Sequence, residues 1–138
     1  MGCDIHIVVE RKLKLGSTWT GIMSTDVGRN RPTIARRRYH LFSNLAGVRG
    51  SPEMDKGGQY PNFIPEDVSK LSLEQMGRYG SDGHSHSFMS VDKFIQIWRN
   101  TVDDFEEARH KHLSYDLFGF DAEDFDKFQY RVVFWFDN

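Results

Sequence analysis

The stretch Cys3-Asp4-Ile5-His6-Ile7-Val8-Val9-Glu10 decides the fold class. Its β-branched residues favour an extended strand, and side chains on a strand alternate between two faces. Ile5, Ile7 and Val9 then share one face with Cys3, an aliphatic stripe suited to cover by helices. Asp4, His6 and Val8 share the other, with Asp4 and His6 about 6–7 Å apart at Cα. A carboxylate and an imidazole on so apolar a strand need a partner, a ligand or a solvated end.

At the far end of the chain, Val132-Val133-Phe134-Trp135-Phe136 is an unbroken apolar run of strand formers. Such a run predicts a strand buried on both faces. Pairing it with the first strand brings both terminal strands into one sheet and sets Asp137 and Asn138 near Asp4 and His6. Thr18 to Met23 reads as the return strand of a hairpin turning at Gly16-Ser17. Tyr39, Phe42, Leu45 and Ala46 share a helical face ahead of Gly47, a natural C-terminal cap. Pro65-Glu66-Asp67-Val68 reads as a second helix start, closed by Gly77 and Gly80. Residues 81–87 are small, polar and without period, and are expected to form a loop. Val91, Phe94, Ile95, Trp98, Val102 and Phe105 recur at helical spacing and predict the longest helix, about 91–110, capped by Ser87 or Ser90.

The fold expected is one α+β domain over residues 1–138. A small, largely antiparallel sheet holds both terminal strands, packed by the 91–110 helix and shorter helices. A compact sandwich or a barrel-like sheet are the alternatives.

Composition bounds the function. Aromatic residues make up 14 % of the chain, eleven of them Phe, so a few large side chains carry the core. Net charge is −2, unevenly spread: Arg29, Arg31, Arg36, Arg37 and Arg38 gather without an acid, whereas 103–126 holds nine acids. That balance gives no expectation of duplex DNA binding. Cys3 is the single cysteine, which excludes an intramolecular disulfide. Asp4 and His6 interrupt any signal-peptide core, and no apolar run approaches the roughly 20 residues of a membrane span. A soluble cytoplasmic protein is expected.

Two polar stretches carry the candidate chemistry. Asp4 and His6, with His84 and His86 and possible help from Asp137, are residue types that bind a divalent metal such as zinc or manganese. Asp82 would then act as a base or as support to the ligands, and a metal-bound water would attack a phosphoester. The bland reading has the same residues satisfying one another as a buried hydrogen-bonded network. Arg36, Arg37, Arg38 and Tyr39 form a second candidate, a basic loop with an aromatic edge for a small anionic or nucleotide ligand. Cys3 faces away from His6, so it lacks an adjacent base and reads as buried filler.

The opening Met1-Gly2-Cys3-Asp4-Ile5-His6 and the close Val133-Phe134-Trp135-Phe136-Asp137-Asn138 resemble a family of small phage and prophage proteins without an assigned activity. Tyr39-His40-Leu41-Phe42, Ala46-Gly47-Val48-Arg49, Pro65-Glu66-Asp67-Val68-Ser69 and Asp82-Gly83-His84-Ser85-His86-Ser87 extend the resemblance over most of the chain. It implies a phage origin and action inside a bacterial host. The expected function is that of a non-catalytic accessory or anti-defence protein binding a host protein or a nucleotide signal. A metal-dependent phosphoester or nucleotide hydrolase is the alternative.

Overall fold

The computed structural model describes residues 2–26, 39–48, 63–101 and 126–137. Four strands form one sheet: β1 (Asp4–Leu13), β2 (Thr20–Ser24), β3 (Gly83–Ser90) and β4 (Phe128–Asp137). Their order is β2-β1-β4-β3 and every pairing is antiparallel. Among the described residues the helices are α1 (Tyr39–Ala46), α2 (Lys70–Gly77) and α3 (Val91–Thr101). The protein is therefore an α+β fold with both terminal strands at the centre of the sheet.

The two central strands pair without interruption from Asp4↔Asp137 to Leu13↔Phe128. Alternation sorts their side chains into two cores. Ile5, Ile7 and Val9 meet Val132, Phe134 and Phe136 beneath α1 and α3, which add Leu41, Phe42, Leu45, Phe94, Ile95 and Trp98. On the reverse face Val8, Val133 and Trp135 are covered by the 63–79 segment through Ile64, Val68, Leu71, Met76 and Tyr79. Val132 to Phe136 are all fully buried, as expected of a strand covered on both faces. Each such side chain contributes on the order of 1.5–3 kcal/mol.

Local chemistry sets the boundaries. Ser90 caps α3 by accepting from the Lys93 amide at 3.2 Å. The helix is described to Thr101, and its expected continuation to 110 lies outside the described residues. Gly47 takes a φ of 69° and its amide donates to the Ser43 carbonyl, closing α1 as a left-handed cap. The core side of α1 is Leu41, Phe42 and Leu45; Tyr39 is exposed and Ala46 only half-buried.

Two expectations need correction. The helix expected from Pro65 begins at Lys70, with Ser69 as its N-cap accepting from the Ser72 amide. Ser69 has the short hydroxyl that a cap requires, and 65–68 form a turn ahead of it. The stretch expected as a loop over 81–87 is a short 3₁₀ turn, Gly80–Asp82, followed by β3. Pairing with the apolar β4 supplies the ladder that these small polar residues do not signal alone.

Candidate functional site

His6 projects from β1 onto the reverse face of the sheet, where it is 3 % exposed. Its Nδ1 lies 2.9 and 3.0 Å from the two carboxylate oxygens of Asp26, just beyond β2. Its Nε2 lies 2.8 Å from Oδ1 of Asp137, near the end of β4. Carboxylates only accept, so a carboxylate at each ring nitrogen favours the doubly protonated, cationic form of the ring. Burial by itself pushes the pKa of His6 down, but the hydrogen bonds and charges of Asp26 and Asp137 outweigh it and raise the value above the usual 6.5.

Aromatic rings flank this side chain. The Tyr79 ring centre lies 4.0 Å from that of His6, and the Trp135 ring is stacked at 5.8 Å. The arrangement ties β1, the end of β2 and the end of β4 through one side chain. Both ring nitrogens are engaged by carboxylates, and a general base or a metal ligand needs one of them as a lone pair.

The other expected site residues are dispersed around it. Asp4 sits opposite Asp137 in the ladder. Between His84 and Ser87, β3 has two residues where β4 has one, a bulge in which Ser85 adopts a φ of 56°. The extra residue breaks the strand alternation. The His84 ring lies against Phe136 and the His86 ring against Trp135, on opposite sides of β4. His84 Nδ1 is 3.0 Å from the Ser85 hydroxyl. Burial, and then the neighbouring His84, lower the pKa of His86 and keep it neutral at pH 7. Asp82 is exposed in the 3₁₀ turn. Among the described residues no group of three or more His, Cys, Asp or Glu is placed to hold a metal ion. Arg36, Arg37 and Arg38 lie outside the described residues; Tyr39 uses its hydroxyl to accept from the Cys3 amide at 3.3 Å. Cys3 is buried on the Ile5 face.

A second buried polar network emerges further along the same face. Glu10, fully buried, accepts from Arg131 Nε, the Ser69 amide and the Ser72 hydroxyl, each at 2.6 Å. Arg131 also donates to the Asp67 side chain at 3.1 Å and to its carbonyl at 3.2 Å. The guanidinium lies 3.9 Å over the Trp19 ring. The network fixes α2 and the turn before it to the sheet. Its sequence signal is an acid two turns of the pleat beyond His6 on an apolar strand, whereas Asp26 carries no local signal.

No family model, curated relative or solved structure matches the chain. Among the described residues no helix is long and apolar enough to cross a membrane.

Proposed function

We propose that this chain is a non-catalytic phage accessory protein that acts inside a bacterial host by binding a nucleotide signal or a host protein, in the manner of a factor that counters a bacterial defence. The observation that carries this reading is the pairing of both His6 nitrogens with carboxylates. A site built for hydrolysis keeps a base or an open metal position ready, and here both nitrogens of a buried histidine are spent on holding strands together. The resemblance to small phage proteins supports the biological setting.

The competing reading, a metal-dependent phosphoester or nucleotide hydrolase, draws on His86, a neutral imidazole beside the His6 cluster. Incubating the purified protein with ATP, GTP and bis(p-nitrophenyl) phosphate, with and without added zinc or manganese, separates the two. The binding reading expects no turnover in any mixture. Metal-dependent turnover that disappears in His86→Ala, with the thermal transition retained, would overturn it.

A further inference from the structure

The end of the sheet remote from His6 combines aromatic planes with lysines, and we infer that it is a binding site for a nucleoside di- or triphosphate. This rests on the binding reading above and gives it a location and a ligand class. A cleft of about 570 Å³ opens there, bordered by Lys14, Trp19, Phe88, Phe128, Tyr130 and Arg131. Its size falls in the range of small-ligand sites. A second cleft, of about 630 Å³, shares Lys14 and adds Lys127.

The walls are preorganised. Arg131 is locked by Glu10 and Asp67 and lies over Trp19 at 3.9 Å, which fixes the indole plane. On the helix-covered side of the same sheet end, Arg11 lies 4.3 Å over Phe128, whose edge borders the cleft. A planar base gains stacking energy on such surfaces without needing a sequence-specific contact.

The charges point to phosphate. The Lys14 amide donates to the Lys127 carbonyl at 3.0 Å, which keeps two lysines side by side at one edge. Lys12 lies 5.5 Å over the Trp19 ring on the same hairpin. Among the described residues none of these three lysines has a carboxylate within ion-pair distance, although Asp92 and Asp126 border the two clefts. A di- or triphosphate supplies an anion for these lysines, and the attached base supplies the plane. Lys14 and Lys127 at one edge, with Lys12 on the same hairpin, suit a single phosphate chain, and the net charge of −2 disfavours a long polyanion.

Isothermal titration calorimetry of the full chain with ATP, GTP, adenosine, tripolyphosphate and a short oligouridylate tests this. Tryptophan fluorescence is followed in parallel. Trp98 and Trp135 are buried, so quenching by a bound base reports Trp19. ATP or GTP is expected to bind roughly tenfold tighter than adenosine or tripolyphosphate, because only they engage both halves of the site. Lys14→Glu alters an exposed side chain, so the thermal transition is expected to hold while affinity falls at least about fivefold. Trp19→Phe should remove the quenching. Binding unchanged in Lys14→Glu and Trp19→Phe would overturn the location, and tighter binding of the oligouridylate would overturn the ligand class in favour of RNA. No binding of either nucleotide would overturn the inference and leave the non-catalytic reading standing. Release of phosphate in the same samples would instead overturn that reading.

Discussion

Glu10 and Arg131 stand directly opposite each other on the two central strands, and their side chains meet at 2.6 Å with Glu10 sealed from solvent. Removing one member of a buried pair leaves the other charge uncompensated. Arg131→Met is expected to cost about 3–5 kcal/mol in urea unfolding. Adding Glu10→Leu to it should recover part of the loss, since the stranded carboxylate is then gone. A loss below about 1 kcal/mol for the single variant would show that the pair is solvated.

His6 and His86 should each pull stability down on one side of the ordinary histidine pKa of 6.5. His6 titrates above that value when folded, so its contribution is complete below pH 6.5 and is lost as pH rises through its raised pKa. His86 titrates below 6.5 when folded, so protonation favours the unfolded chain as pH falls from 6.5 toward its lowered pKa. Melting temperatures measured from pH 5 to 9 should decline on both sides. His6→Gln is expected to flatten the alkaline limb and His86→Gln the acid limb. An alkaline limb unchanged by His6→Gln would refute the charged clamp.

Gly21 on β2 sits against α2. A Cβ there would come within 2.5 Å of Leu71 Cβ and 2.7 Å of its Cδ2. Leu71 Cβ lies next to helix backbone and has little freedom to retreat, so Gly21→Ala should destabilise by about 1–3 kcal/mol. Pairing it with Leu71→Gly, which removes the clashing Cβ, should relieve the clash, measurable as a non-additive double-mutant cycle.

Ser85 holds a left-handed conformation at the bulge. For a residue with a side chain that geometry costs roughly 1–2 kcal/mol. Ser85→Gly is expected to preserve or raise the melting temperature, reduced only by loss of the hydroxyl contact to His84. Ser85→Val should lower it, because branching at Cβ worsens the strain. Equal stability of the two variants would mean that the bulge rearranges on substitution.

Much of the architecture was legible in the residues because the signals involved are local. The alternation of Ile5, Ile7 and Val9 marked the helix-covered face, and the apolar run at 132–136 marked a doubly buried strand. Gly47 and Ser90 marked helix ends through chemistry confined to one turn. The 83–90 strand was not legible, because Gly, Ser and His have no strand preference and are ordered there by the neighbouring β4. The start of α2 was displaced for a related reason: the acids at 66 and 67 resemble a first helical turn, yet Asp67 is drawn to Arg131.

The sequence by itself determined that a polar site sits on the first strand, since His6 among aliphatic residues requires compensation wherever the strand is buried. Only the tertiary structure decided what compensates it. Asp26 and Asp137 lie 20 and 131 positions away, and Glu10 finds Arg131 across 121. Hydrogen bonds and ion pairs act over a few ångströms in space, whereas residue spacing reports only the repeat of a helix or strand. Whether His6 faces a metal, a substrate or two carboxylates is therefore settled by strand register and by the turn after β2, neither of which is written in the stretch that contains it.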